Sequence, residues 1–149
     1  MFAAPLIAAF GFQPSPSTPP IPPMKMGLWE TTSTANLNGN NILSHMPGLG
    51  SRTVKSRYCI TPDTFEQAWN SQSKSCTREN VVTGPKSFSY DMTCGKSTGH
   101  YSMTFETKES GSYTLHMVNG SQTIDTAGTT TFISSDCGSV APGKPQMVK

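Results

Sequence analysis

From residue 25 onward the chain alternates hydrophobic and polar positions with a period of two, the signature of strands with one buried face. Residues 100–107 put Tyr101, Met103 and Phe105 on one side and His100, Ser102, Thr104 and Glu106 on the other. Residues 112–119 repeat the pattern with Tyr113, Leu115 and Met117. Lys108-Glu109-Ser110-Gly111 between the two runs reads as a turn, so together they predict a hairpin. Residues 87–94 place Phe88, Tyr90, Met92 and Cys94 on one side. Strands are also expected over residues 26–37, 51–60, 76–83 and 128–135. The result is about seven strands in largely meander order, hence a mainly β fold: an antiparallel curved sheet or half-barrel.

One segment breaks the period. Thr61-Pro62-Asp63 is a helix start, with Thr as N-cap, Pro at the first helical position and an acid at the positive end of the dipole. Phe65, Ala68 and Trp69 follow at i, i+3 and i+4, an apolar stripe suited to lying on a sheet. The helix is expected to end near Asn70 or Gln72.

The four cysteines are separated by 16, 17 and 42 residues, and no C-x-x-C is present to suggest a zinc knuckle or a redox pair. The run from Cys76 to Cys94 is symmetric about Pro85, with Gly84-Pro85-Lys86 as a three-residue hairpin loop. In that register Cys76 faces Cys94, Asn80 faces Tyr90 and Val82 faces Phe88. A cross-strand disulfide there leaves Cys59 for Cys137. The register also sets Arg78 on the apolar face opposite Met92, which calls for a bulge or for an arginine snorkelling at the sheet end.

Composition narrows the function classes. Of 149 residues only 20 are charged, net +2, while 38 are Ser or Thr. So weak a positive charge excludes a nucleic-acid footprint. Residues 1–11 are uncharged and mostly apolar, and with Phe12 they read as the core of a signal peptide, with a cut expected ahead of Phe12. Residues 12–24 hold a proline-rich linker, six prolines falling within residues 13–23. The domain itself is expected over residues 25–138, with 139–149 as a C-terminal tail. No segment of the mature chain is long and apolar enough to span a bilayer as a helix.

Lys25-Met26-Gly27-Leu28-Trp29-Glu30, Tyr58-Cys59-Ile60-Thr61-Pro62-Asp63, the hairpin cysteines Cys76 and Cys94, and the closing Asp136-Cys137-Gly138 resemble the pattern of the exported bacterial family called domain of unknown function 3617. That pattern is a G-L-W-E opening, a C-[IL]-T-P-[ED] segment ahead of a short helix, two cysteines around a hairpin and a terminal G-x-C or D-C. The resemblance covers about residues 25–138. Many members carry a basic residue and Gly before the last cysteine, where this chain has Ser134-Ser135-Asp136. The resemblance implies an exported, periplasmic or secreted, disulfide-bonded β domain and brings no catalytic residues.

The remaining candidate chemistry is sparse. Gly95-Lys96-Ser97-Thr98-Gly99 matches G-x-S-x-G and contains G-K-S, but a strand rather than a helix follows it, so it reads as a turn between strands. His100, His116 and Glu106 share a polar face, where a weak surface metal site competes with plain solvated residues. No catalytic residue, metal set or cofactor is assigned. Phe88, Tyr90, Met92, Tyr101, Met103, Phe105, Tyr113, Leu115 and Met117 form the candidate ligand face. The expected function is a non-catalytic, monomeric envelope module that binds a small apolar or extended ligand, or an envelope protein, on the concave side. The alternatives are a hydrolase using His100 or His116 with a nearby Ser or Glu, or a purely structural protein.

Overall fold

The computed structural model describes residues 20–46, 52–72 and 75–149. The signal-like segment and the linker up to residue 19 lie outside the described residues.

Strand β1 (Gly27–Leu37) turns through Asn38-Gly39 into the two-residue β2 (Asn40–Asn41). Both turn residues have positive φ, 50° and 83°, the backbone that an Asn-Gly hairpin loop supplies. Strand β3 (Val54–Ile60) leads into helix α1 (Pro62–Gln72). The start of α1 is closed reciprocally: the Thr64 amide donates to Thr61 Oγ1 (3.2 Å) and the Thr61 amide to Thr64 Oγ1 (2.8 Å). The meander β4 (Thr77–Thr83), β5 (Ser87–Cys94), β6 (Ser97–Thr107), β7 (Ser110–Asn119) and β8 (Gln122–Ser134) follows, and β9 (Gln146–Met147) closes the chain.

All pairings are antiparallel, in the order β4-β5-β6-β7-β8-β1-β3-β9, with β2 on β1. The seven longer strands match the expected seven; the two additions are the two-residue strands β2 and β9. β1 inserts between β8 and β3, so the sheet is a meander with its first strand returned to the far end of the last long one.

Both expected disulfides are present, Cys59–Cys137 with Cα atoms 5.5 Å apart and Cys76–Cys94 at 4.2 Å. The β4–β5 hairpin turns at Gly84–Lys86, and near the disulfide its register is the expected one, Arg78 opposite Met92. Beyond Glu79 it shifts by one: Val82 pairs with Ser89 and Thr83 with Phe88, not Val82 with Phe88. Asn80, at φ 52°, sits in that bulge, which re-aims the outer half of an edge strand. Two other boundaries move. Ser97, Thr98 and Gly99 belong to β6, so only Gly95-Lys96 makes the turn, and β8 begins at Gln122 rather than near 128.

The core lies on one face of the sheet. Phe88, Tyr90, Met103 and Phe105 are buried together, with Phe65 and Trp69 of α1 packed against them. A smaller cluster of Leu28, Cys59 and Val140 sits on the opposite face, joined by Cys137. Residues 139–149, the expected C-terminal tail, contribute a buried Val140, a bridge from Pro142 to Cys59, and β9.

Candidate functional site

Under α1 the sheet leaves a cavity of about 300 Å³. Its walls include Tyr58 of β3, Thr31 of β1, Thr130 of β8, Tyr113 of β7, Tyr101 and Met103 of β6, and Phe88 and Tyr90 of β5. Six flat neighbouring strands would span roughly 24 Å at 4.8 Å per step. A single cavity of this size touches all six only because the sheet curls around it. The roof is Phe65, Ala68 and Trp69, the helix stripe expected from the sequence.

The rings form a continuous lattice. Tyr90 stacks on Tyr101 with centroids 5.1 Å apart, and Tyr101 on Tyr113 at 6.1 Å. Trp69 meets Tyr90 edge-on at 5.4 Å and Phe88 at 6.0 Å. Gly128 is what lets Tyr113 lie flat. A Cβ there would come within 2.6 Å of the Tyr113 ring and 2.8 Å of the Thr32 carbonyl oxygen.

Among the described residues, no Asp, Glu, Lys, Arg or His lines this cavity. Several of its hydroxyls have partners of their own. Thr31 and Thr130 Oγ1 atoms are hydrogen-bonded at 2.9 Å, Tyr113 Oη and Ser33 Oγ at 2.6 Å, and the Tyr101 hydroxyl donates to Met103 Sδ at 3.5 Å. Burial, reinforced by Tyr90 and Tyr113, pushes the Tyr101 phenol well above its ordinary range. Burial also raises Tyr90, against the opposing pull of Arg78. Arg78 stands outside the cavity wall, its guanidinium 3.8 Å from the Trp69 ring centre and 5.4 Å from that of Tyr90, with Nη1 donating to the Trp69 carbonyl at 2.8 Å. The arginine thus stacks on the helix tryptophan instead of snorkelling to solvent, and it also sits beside a bulge.

Of the nine candidate ligand-face residues, Phe88, Tyr90, Tyr101, Met103 and Tyr113 line the cavity. Phe105 is 2% exposed within the core and does not line the cavity, while Met92 packs against the core beside Arg78. Leu115 and Met117 lie further along β7, on the same face but away from the cavity lining. Pro22 and Met24, placed in the linker by sequence, line the cavity, and Pro22 is buried. Tyr58, Ile60, Phe65 and Ala68 are shared with a second hollow of about 320 Å³, whose far wall is Gly143, Lys144 and Pro145. The two hollows adjoin along α1 at this shared wall, and among the described residues Lys144 is the only charged residue on either wall.

On the opposite face His100 and His116 face each other directly across β6 and β7. Their carboxylate partners are Asp91 (Nδ1 to Oδ1 2.6 Å) and Asp125 (2.5 Å), not Glu106, which lies six positions along β6, about 20 Å away. Neither imidazole has a hydrogen bond to a Ser or Glu among the described residues, and both are about half exposed rather than in a cleft. Hydrogen bonds from Asn80 and from His100 hold the Asp91 carboxyl below its ordinary range. Among the described residues no group of three or more His, Cys, Asp or Glu converges on an ion. The G-x-S-x-G run has no helix behind it, and Gly99 lies within β6.

The fold and the groove define a disulfide-stapled β domain: one open, curved antiparallel sheet with a single helix across its hollow side. The family model described as protein of unknown function (DUF3617) matches residues 24–137, and the chain belongs to that family. Neither the curated proteins nor the solved structures contain a match.

Proposed function

We propose that this chain is an exported, non-catalytic binding module that holds an elongated amphiphile, an apolar chain with an anionic end, in the groove beneath α1. The observation that carries the reading is the cavity between α1 and the sheet, lined by aromatic and methionine side chains with no charged wall residue among the described residues. An apolar segment enters such a space by giving up water at roughly 25 cal/mol per Å² of surface buried, whereas a charge would remain unpaired there. The continuation of the groove past Phe65 and Ala68 suits an extended ligand, and Lys144 at its far wall suits an anionic end group. Two disulfides with no cysteine left free, together with the apolar opening of the sequence, support export into an oxidising compartment.

Native mass spectrometry of protein isolated from a bacterial envelope tests the reading. The expected result is a released adduct with the mass of a lipid or fatty acid, lost in Ala68→Phe, which fills the groove where both hollows meet. An apo mass in every preparation, or an adduct retained in Ala68→Phe, counts against it. Export is tested by the N-terminus of the mature chain, expected at or near Phe12.

A further inference from the structure

We infer that His100 and His116 form a two-imidazole site for a divalent transition ion on the convex face of the sheet, independent of the groove. The two residues are partners in the β6–β7 ladder, so their Cβ atoms stand about 5 Å apart on one face. The row continues outward on both sides, with Asp91 opposite His100 in β5 and Asp125 opposite His116 in β8. Across four strands it reads Asp91, His100, His116, Asp125.

Each carboxylate engages the Nδ1 atom of its own histidine. A carboxylate only accepts, so Nδ1 carries the proton in each neutral ring and the lone pair is left on Nε2. The carboxylates lie on the outer sides of the row. Each ring is therefore turned with its Nδ1 edge outward and its Nε2 edge toward the seam between β6 and β7 and the solvent above it. Asn80 Nδ2 in turn donates to Asp91 Oδ2 at 2.8 Å, fixing that carboxylate. A carboxylate behind each imidazole is the arrangement that orients a metal-ligating histidine and raises its basicity.

The donor set names the class of ion. Two neutral nitrogens suit Cu(II), Ni(II) or Zn(II), whereas Ca(II) and Mg(II) need a cage of oxygens, and all four cysteine sulfurs are committed to disulfides. With two protein ligands, water completes the coordination and the ion exchanges readily. Cu(II) binds tightest among these by the general order of divalent affinities.

The test is calorimetric titration of the full chain with Cu(II) and Zn(II), joined to electron paramagnetic resonance of the copper form. The expected result is one ion per chain with a spectrum split by two nitrogens. His100→Ala and His116→Ala each remove the two-nitrogen pattern and weaken binding at least tenfold, and Asp91→Asn or Asp125→Asn weakens it by about 10–100-fold. His45→Ala changes nothing. His45, His100 and His116 are exposed and Asp91 and Asp125 are partly so, so the variants stay folded, with melting temperatures close to wild type at neutral pH. Absence of binding, a one-nitrogen spectrum, or affinity unchanged in both histidine variants overturns the assignment.

Discussion

The two faces of this sheet are made by the same strands and have almost nothing in common. On β6, Tyr101, Met103 and Phe105 point into the hollow side, while His100, Ser102 and Thr104 point out. The outward residues are in register across five strands: Thr32, Thr129, Ser112, Thr104 and Ser87 are successive partners from β1 to β5. Threonine and serine suit a pleated surface and pair well across strands, and they keep it wet without charge. That is why a chain with 38 Ser and Thr needs only 20 charged residues. Energy is concentrated on the hollow side, where rings pack. On the outer side the ordered features are the histidine–aspartate row and the small cluster around Cys59–Cys137.

The disulfides sit one on each face and give the largest expected effects. Replacing Cys59 and Cys137 together by Ser opens a loop of 78 residues and should lower unfolding free energy by about 4–5 kcal/mol. Replacing Cys76 and Cys94, separated by 18, should cost about 3 kcal/mol in the same urea titration. Equal losses would mean that loop length does not govern the difference. Next comes the contrast within β6. Phe105→Ala is expected to cost about 3–5 kcal/mol, and its neighbour Thr104→Ala less than about 0.5 kcal/mol. A comparable cost at both would erase the distinction between the faces. Gly128→Ala forces Tyr113 away from β8, with an expected cost of about 1–3 kcal/mol and weaker ligand retention in the groove.

The smallest effect is electrostatic and belongs to the outer face. Asp91 and Glu30 both have carboxyls held below their ordinary values, Asp91 by Asn80 and His100, Glu30 by Arg57 at 3.0 Å and Lys55 at 3.3 Å. A depressed folded-state value means the stabilisation is present above the unfolded carboxylate pKa and is lost as pH falls through the folded one. Asp91 is about half exposed and Glu30 still reaches solvent beside two exposed cations, so the loss should be slight. Melting temperatures followed from about pH 5 to 3 should fall slightly less steeply in Asp91→Asn than in the wild type. A steeper fall in the variant reverses the sign worked out here.

Much of the hollow side was legible in the sequence because apolar and polar residues alternate there with strong contrast. Tyr101, Met103 and Phe105 announce their face, and the spacing of Phe65, Ala68 and Trp69 announces the roof. The first half of β8 has no such contrast. In Gln122–Ala127 the inward Thr126 and outward Thr123 are chemically identical, so the strand is invisible until its partners are known. For the same reason Thr31 and Thr130 could not be placed on the cavity wall from sequence. Asn38-Gly39 did carry a hairpin signal that periodicity alone passes over. The bulge at Asn80 was signalled only indirectly, by Arg78 falling on the apolar face, and sequence did not fix at which residue the register shifts. The histidine pair depended on register. Sequence set His100 and His116 on one face, but only the β6–β7 and β7–β8 ladders show that Asp125 rather than Glu106 completes the row.

The central claim is that the space under α1 holds an acyl-type chain. Of the two tryptophans, Trp69 lines that space, and Trp29, opposite Tyr58 in the β1–β3 ladder, is fully buried outside the lining. Titration of the full chain with a dibrominated stearate, read by tryptophan fluorescence, places a heavy-atom quencher against Trp69, the tryptophan in the lining. The account predicts saturable quenching of about one site per chain that disappears in Trp69→Phe and in Ala68→Phe. Emission indifferent to the brominated chain, or quenching that persists in both variants, would contradict it.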